Sequence, residues 1–315
     1  MKKFLALTLA LVMSLSLVAC GDKKTDDTKT DAPDQTEQPA ENEGAYKVAM
    51  ITDYGDITDQ SFNQTTYEAC KAFAEDNDIE FNYFKPVGDN TADRVAMIEK
   101  AADEGYNVIV MPGYAFGGAI VEAAPEFPDV KFIALDVAKG DLLETAVANA
   151  GESYDYNPDN WELDKYVDMS NVYCAVYQEE LCGYMAGYAA VKLGYKNLGF
   201  LGGMAVPAVQ RYGYGFVQGV DAAAAELGLT DVKLNYIYGG QFFGDADITA
   251  VMDTWYAGGT EVVFACGGGI YTSAVDAAKK VEGAKVIGVD VDQAGVIANY
   301  AAGEGADQAT IDGYK

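Results

Sequence analysis

Apolar runs of strand length alternate along this chain with longer segments of helical period, beginning at Lys47. The first series of runs reads KVAMIT (47–52), IEFNYF (79–84), NVIVMP (107–112) and VKFIALD (130–136). These runs are largely apolar throughout instead of alternating in polarity, as expected of parallel strands that are covered on both faces. Helices between such strands specify the α/β class with parallel sheets.

A second series begins near Asn171 and repeats this pattern. Its strands are predicted at NLGFLG (197–202), LNYIYG (234–239), EVVFACG (261–267) and KVIGVD (285–290), and its helices at 179–193, 207–227, 247–256 and 272–281. Two such series in about 270 residues predict two Rossmann-like lobes, each near the usual size of a domain. We assign residues 45–172 and 291–315 to the first lobe and residues 173–290 to the second.

Four segments of the first lobe are interpreted further. A helix is predicted to open at Ser61, its N-cap, and a second helix opens at Thr91. The first of these helices is expected to bury apolar residues that recur at steps of three and four: Phe62, Thr66, Ala69, Cys70 and Phe73. Residues 138–171 are predicted to form an inserted surface loop, and residues 301–315 a polar loop.

The first twenty residues carry an export pattern. Two lysines precede an apolar run (4–18) that is shorter than the roughly 20 residues of a spanning helix. The run ends in LVAC (17–20), which resembles the lipobox of bacterial lipoproteins. That resemblance implies a signal peptide (1–19) and a lipid at Cys20 that anchors an exported protein to the outer face of the cytoplasmic membrane. The alternative is an ordinary secretory signal with a chance cysteine.

Polar residues fill the segment from residue 20 to residue 44, which is therefore predicted to be a disordered tether. The chain of 315 residues has a formal net charge of −28 and no histidine. Such an acidic chain is repelled by nucleic acid, and the missing histidine excludes Ser-His-Asp and Cys-His catalysis and metal sites that contain histidine. The four later cysteines are interpreted as buried apolar residues, with a Cys174–Cys182 disulfide left open: Cys70, Cys174, Cys182 and Cys266.

Polar and aromatic residues collect where the predicted strands end, which is where open parallel sheets bind ligands. These strand ends read TDYGDITDQSFNQ (52–64), PGYAFGG (112–118), GGMAVP (202–207), GGQFFGD (239–245), ACGGG (265–269) and GVDVDQ (288–293), with Asp136 ending the fourth strand. Carboxylates, amides and aromatic rings together suit a neutral or weakly cationic polar ligand with a flat ring.

Each part of this set also has a simpler interpretation. Phe62 is equally compatible with a core position on its helix. Asp53, Asp56 and Asp59 are compatible with capping of the next helix or with calcium, although the EF-hand glycine and glutamate are absent. Residues 267–269 are similar to a phosphate cradle, but no GK[ST] follows them.

Several motifs in this order resemble the basic membrane protein family of lipoproteins, which includes the purine nucleoside receptors of ABC importers. They are TDYGDITDQSFNQ, ADEGYNVIVMPGYAF, FPDVKFIALDV, ELCGYMAGYAAVK, LGFLGGMAVPAVQRYGYGFVQG and VIGVDVDQ, and they cover residues 46–293. The resemblance implies the type I periplasmic binding protein fold, with two lobes that close about a hinge. It also implies a monomeric receptor, with no cofactor, metal or enzymatic activity, that passes a nucleoside to a permease.

The resemblance further implies a role for individual residues. Phe62 is expected to stack on the base, facing an aromatic residue of the second lobe, which is Phe242 or its neighbour Phe243. Asp53 and Asn63 are expected to contact the base edge. The ribose is expected to meet two carboxylates and the backbone of a glycine turn: Asp136, Asp290, Gly267 and Gly268.

Two differences from the family pattern stand out. The segment 138–171 is longer than expected, and no Ser-x-x-Lys motif, which in the family binds ribose, follows Gln293. We therefore expect the first lobe to be incomplete, with the chain truncated at its C-terminus. Three rival functions remain: a sugar or autoinducer receptor of the same fold, a carboxylate-based nucleoside hydrolase, and a surface adhesin.

Overall fold

The computed structural model describes residues 46–53 and 55–315. The predicted signal peptide, Cys20 and the tether lie outside the described residues. Within them, helices alternate with strands that pair only in parallel, in two separate sheets. The predicted α/β class with parallel sheets is confirmed.

The first sheet has five strands. These are β1 Lys47–Ile51, β2 Glu80–Phe84, β3 Val108–Pro112, β4 Lys131–Leu135 and β5 Val172–Ala175. The helices around them are α1 Phe62–Asn77, α2 Thr91–Asp103, α3 Gly117–Ala123 and α4 Lys139–Asn149. The strand order is β2-β1-β3-β4-β5, and β1 and β3 are buried along most of their length, which explains their continuous apolar sequences.

The second sheet has four strands. These are β6 Asn197–Gly202, β7 Lys233–Tyr238, β8 Val262–Cys266 and β9 Lys285–Ile287. The accompanying helices are α5 Glu179–Lys192, α6 Pro207–Leu227, α7 Ala246–Ala257, α8 Tyr271–Ala278, α9 Ala294–Ala302 and α10 Gln308–Asp312. The order is β7-β6-β8-β9, and apolar clusters cover both faces of the sheet, with Phe200 in one cluster and Leu201 in the other.

The two sheets repeat one connection pattern. In each, the first strand lies between the second and the third, so the chain reverses direction across the sheet between β1 and β3 and again between β6 and β8. Open α/β sheets bind ligands beyond the carboxyl ends of the strands at this kind of switch point. The loops after β1 and β3, and after β6 and β8, are therefore the positions where a ligand site is expected.

The prediction of a surface loop at 138–171 is wrong for the first third of the segment. Residues 139–149 form α4, whose start is capped by a hydrogen bond from Ala138 N to Asp141 Oδ2 of 2.7 Å. Four apolar residues of α4 are buried in the first lobe: Leu142, Leu143, Ala146 and Val147. The rest of the segment is also tied to the lobe, because the amide of Asn171 donates to the carbonyls of Ala124, Phe127 and Val130.

The predicted lobe boundaries also need correction. The strand β5 pairs with β4 in the first sheet, so the first lobe extends past residue 172 to Ala175. The segment 291–315 was assigned to the first lobe, but α9 packs on the second. Its apolar residues Val296, Ile297 and Ala301 lie against the cluster that contains Ala274 of α8. Residues 301–315 are not entirely loop, since α10 lies within them.

The predicted buried face of α1 is wrong in part. Asn63, Thr66 and Ala74 are its buried residues, whereas Ala69 and Phe73 are exposed. The helix is turned so that the amide of Asn63, and not the ring of Phe62, points inward. Of the four cysteines beyond Cys20, Cys266 is buried and Cys182 is exposed, and all four are free thiols.

Candidate functional site

Asp53, Asn63 and Asp59 form a group that we call the amide corner. The side-chain nitrogen Nδ2 of Asn63 lies 3.1 Å from Asp53 Oδ1 and 3.1 Å from Asp59 Oδ2. Because carboxylates only accept, both amide hydrogens of Asn63 are used, and its nitrogen must face the two acids. The oxygen Oδ1 of Asn63 is buried and has no donor within residues 46–53 and 55–315.

Asp59 explains the start of α1. Its carboxylate accepts from the backbone N–H groups of Ser61, Asn63 and Gln64 at 2.9, 3.1 and 3.0 Å. These bonds satisfy donors that the first turn of a helix leaves open. Ser61 occupies the N-cap position but makes no capping bond with its side chain, so the predicted cap is supplied by Asp59 instead.

Glycine lets the backbone approach the amide corner at the switch point of the first sheet. A Cβ at Gly113, which follows β3 with a φ of +127°, would lie 2.0 Å from Asp53 Oδ2. A Cβ at Gly55 would lie 2.0 Å from Asn63 Nδ2. Any larger residue at either position would displace a side chain of the corner.

Phe62 lies at the edge of the first lobe and is only partly buried. Its ring meets the ring of Tyr177 edge-on, with 6.1 Å between centroids. Tyr177 belongs to the segment that connects β5 to α5 and is 48% exposed. Partial burial and this edge-on contact disfavour the alternative that Phe62 is a core residue.

Phe242 lies over the switch point of the second sheet. A Cβ at Gly203, after β6, would lie 2.5 Å from the Phe242 ring, and one at Gly267, after β8, would lie 2.9 Å from it. Gly268 has a φ of +48° and lies against the Phe242 carbonyl. The neighbour Phe243 is 61% exposed. The structure thus brings Phe242, Gly267 and Gly268 together and leaves Phe243 outside this group.

Asp136 and Asp290, which we call the interlobe carboxylates, each reach from one lobe to the other. Asp136 follows β4 and accepts a hydrogen bond of 2.8 Å at Oδ1 from Arg211 Nη2, on α6. Asp290 follows β9 and accepts from the hydroxyl of Ser61, just before α1, and from the hydroxyl of Tyr212 at 3.4 Å. Both residues have left-handed backbones, with φ of +62° and +65°. The same conformation occurs at Gln60, Asp78 and Tyr156, and aspartate is among the residues that adopt it most readily.

The electrostatics of the two interlobe carboxylates follow from their burial. Burial raises the pKa of Asp136 to about 7, with a further contribution from Glu179 and an opposing one from Arg211. Burial also raises the pKa of Asp290, while the bond from Ser61 lowers it. Burial therefore disfavours the charged form of both carboxyl groups.

Four residues of this region were missed by the sequence analysis: Tyr177, Glu179, Arg211 and Tyr212. Arg211 is a lone cation among small and apolar residues in the first turns of a long helix, which is the one signal that the sequence offers for it. Tyr177 and Glu179 lie between β5 and the first turn of α5, where the chain passes from one lobe to the other. The hydrophobic pattern of this short connection does not indicate a role for either residue. That Phe62 and Phe242 face each other across a base stays a prediction.

A cavity of the second lobe lies away from these residues. One of about 460 Å³ is lined by Asp245, Asp276 and Tyr300, and contains none of the predicted site residues. Asp245 and Asp276 in its lining already accept hydrogen bonds from the first turn of α7 and from Tyr300. In the described part of the chain, no three acidic or cysteine side chains are arranged to hold a metal ion. No helix there is long and apolar enough to cross a membrane.

Residues 46–306 match the family model described as Bmp, ABC transporter substrate-binding protein PnrA-like. The match covers most of the chain, and the α/β fold with parallel sheets agrees with it. The chain belongs to this family of ABC transporter substrate-binding proteins, which confirms the resemblance inferred from its motifs.

Two named relatives and one solved structure illustrate the match. The chain is 26% identical to the ABC transporter nucleoside-binding protein BmpA of Lactococcus lactis subsp. cremoris, over 98% of this chain and 79% of that protein. It is 27% identical to Basic membrane protein A1 of Borrelia garinii subsp. bavariensis, over 78% of this chain and 64% of that protein.

A crystal structure of an ABC transporter solute-binding protein from Aeropyrum pernix K1 superimposes with a TM-score of 0.57 at 20% identity. It covers 75% of this chain, and this chain spans 58% of its length. At this level of identity the likeness shows the fold alone.

Proposed function

We propose that this protein is a lipid-anchored receptor that binds a nucleoside, with a purine base, between its two lobes and delivers it to an ABC permease. The observation that carries the proposal is the bond between Asp290, at a strand end of the second lobe, and Ser61, beside Phe62 in the first. It brings a carboxylate and an aromatic ring to one boundary, as a ligand with both a flat base and vicinal hydroxyls requires.

Each part of the proposed ligand has a matching group. The base stacks on Phe62 and, from the other lobe, on Phe242, while Asp53 and Asn63 accept at its edge. The ribose hydroxyls donate to the interlobe carboxylates, and the turn at Gly267 and Gly268 allows close approach of the backbone. A phosphate would be repelled by this set of acids, so a nucleoside is favoured over a nucleotide.

The envelope location is part of the same proposal. A lipid at Cys20 would hold the protein on the outer face of the cytoplasmic membrane, and residues 20–44 would act as a spacer. The pattern LVAC (17–20) supports this, as does the name of the Borrelia relative. Metabolic labelling with a fatty acid tests it: Cys20→Ser should abolish the label and release the protein from the membrane.

Ligand identity is tested on the full chain purified in detergent without refolding. Calorimetry with guanosine, inosine, adenosine, uridine and free ribose should show binding of at least one purine nucleoside and no measurable binding of ribose. Ribose binding as tight as inosine would support the sugar receptor instead. Release of free base from inosine would support the hydrolase, and binding of none of the five would contradict the proposal.

A further inference from the structure

Arg211 of the second lobe forms ion pairs with two acids, one from each lobe. Its Nη2 lies 2.8 Å from Asp136 Oδ1 in the first lobe, and its Nε lies 2.6 Å from Glu179 Oε2 at the start of α5. The side chains of Asp136 and Glu179 are only 10% and 5% exposed, and that of Arg211 is 28% exposed. One partly buried cation therefore serves two nearly buried carboxylates.

The position of Arg211 is fixed by close packing of its helix on α5. A Cβ at Gly183 of α5 would lie 2.0 Å from the carbonyl oxygen of Tyr212, and one at Gly215 of α6 would lie 2.0 Å from the carbonyl oxygen of Glu180. The two backbones touch at these glycines, so Arg211 and Glu179 move as one unit with the second lobe. The bond to Asp136 is then made or broken by movement between the lobes.

Arg211 is one cation among three carboxyl groups at this position: Asp136, Glu179 and Asp141. Glu179 on α5 and Asp141 on α4 raise its pKa, Arg211 on α6 lowers it, and Tyr177 lies within electrostatic range of it. Burial is the largest contribution, and with Arg211 present the pKa is about 7. Without Arg211 the same burial and the same acids would leave Asp136 protonated at neutral pH.

We propose that Arg211 is a positioning residue of the binding cleft, which keeps Asp136 ionised and turned so that its second oxygen can accept from the ligand. Oδ1 is taken by Arg211, and Oδ2 has no hydrogen bond among the described residues. The inference rests on the proposed function, because it takes Asp136 as a ligand acceptor. It adds that Asp136 is ionised and correctly oriented only when the second lobe places Arg211 beside it.

The proposal fixes the sign of a pH dependence. Affinity should fall as pH drops through the pKa of Asp136, because a protonated acid loses its charge and one acceptor position. Arg211→Met should move this transition to higher pH, and Glu179→Gln should move it to lower pH. A purely structural role for the ion pairs predicts no such opposite shifts.

The test is calorimetry with inosine, or with the tightest nucleoside of the panel above, between about pH 5.5 and about pH 9. Near pH 7.5, Arg211→Met should weaken binding about tenfold, with recovery at high pH, and Arg211→Lys should restore most of the affinity. The matched control is Lys192→Met, which removes a cation from an exposed ion pair with Glu226 between the same two helices. It should change neither the affinity nor the transition.

A second measurement needs no ligand. Carboxyl carbon resonances from NMR give the titration of Asp136 in the unaltered protein, in Arg211→Met and in Glu179→Gln. Shifts of opposite sign support the inference even if no nucleoside binds, a result that would contradict the proposed function alone. An unmoved titration in both variants, or equal loss of affinity at every pH, would overturn it. If Arg211→Met does not fold, Glu179→Gln alone decides.

Discussion

The amide corner and the interlobe carboxylates are built in different ways. In the amide corner, Asn63 bonds to Asp53 and Asp59, ten and four residues away, and all three lie in the first lobe. The interlobe carboxylates instead find their partners 75 and 229 residues away, on the opposite lobe. The first group is complete in one lobe, whereas the second is complete only where the lobes meet.

This difference assigns separate tasks to the two groups. A rigid corner in one lobe can select a ligand without any movement, since its geometry is set by local backbone. Acceptors whose partners lie across a boundary respond to the angle between the lobes, so a ligand that bonds to them favours one arrangement. We therefore expect the amide corner to govern the choice of base and the interlobe carboxylates to govern lobe closure.

The largest expected effect is that of Phe62→Ala, because Phe62 lies between Ser61, a partner of Asp290, and Asn63. Loss of stacking on the base costs about 1–3 kcal/mol, so affinity should fall roughly 10- to 100-fold. Calorimetry on the full chain measures this. The control is Phe73→Ala on the same helix, where the ring is 55% exposed and remote from the corner.

Phe73→Ala should leave both affinity and melting temperature nearly unchanged. If Phe62→Ala lowers the melting temperature strongly while the dissociation constant stays the same, Phe62 is a core residue, and the site must be sought elsewhere.

Asp290→Asn should weaken the contacts of the interlobe carboxylates and leave the amide corner unchanged. The variant keeps the shape of Asp290 but removes its charge and one acceptor, so bonds from ribose hydroxyls weaken. We expect ribonucleosides to bind about tenfold more weakly, 2′-deoxynucleosides to lose less, and free bases hardly to change. The matched control is Asp292→Asn, an exposed acid two residues along that caps α9.

Small-angle scattering adds a second measure of this effect. Nucleoside should reduce the radius of gyration of the unaltered protein more than that of Asp290→Asn. Equal weakening of ribonucleosides, deoxynucleosides and bases would mean that Asp290 supports the boundary and does not contact the sugar.

The sequence was sufficient to predict the strands, helices and strand-end residues that depend on a local pattern. Continuous apolar runs predicted the parallel strands, and strand ends placed Asp53, Asn63 and Asp136 where the sheets end. The helix at 207–227 was predicted with the bounds that the structure has, because its apolar stripe is long and glycine follows it. Known motifs supplied the family.

The sequence was insufficient where partners come from distant segments. Arg211 bonds to Asp136 on the other lobe, and Tyr212 bonds to Asp290, which is distant in the sequence of the same lobe. No local pattern in the sequence indicates either contact. The helix α4 was missed because its apolar residues, beginning at Leu142, follow acidic and small residues that suggested a loop. The segment after Gln293 was misassigned because its partner surface on α8 is not visible in its own sequence.

The side-chain oxygen Oδ1 of Asn63 predicts which bases the amide corner accepts. Both of its amide hydrogens are bonded to acids, so toward a ligand it can only accept through Oδ1. A base that brings an N–H to this atom satisfies it, and one that brings a lone pair does not. Inosine, with N1–H, should bind about three- to tenfold more tightly than adenosine, whose N1 is an acceptor.

Asn63→Ala should reduce this preference between inosine and adenosine. Asn171→Ala, which removes a second buried amide of the first lobe, should lower stability and leave the preference intact. A preference for adenosine in the unaltered protein would show that Asn63 does not contact the base edge.

The smallest expected effect concerns the stability of the ligand-free protein. Burial raises the pKa of Asp136 to about 7 and also raises that of Asp290 and of Asp141. A carboxyl whose pKa is higher in the folded state takes up protons on folding, so its contribution to stability increases as pH falls through about 7 and is lost as pH rises. The melting temperature should thus rise by a few degrees between about pH 7.5 and about pH 5, where nucleoside binding weakens.

Differential scanning fluorimetry across that range measures the slope. Asp136→Asn should flatten it, because the substituted residue does not titrate. Asp231→Asn, at an exposed acid paired with Lys196 on the second lobe, should leave it as it is. The two opposite pH trends, in stability without ligand and in affinity with it, come from one carboxyl. If the melting temperature instead falls steadily below pH 7, Asp136 does not control the pH dependence of stability, and its role in the pH dependence of affinity is contradicted too.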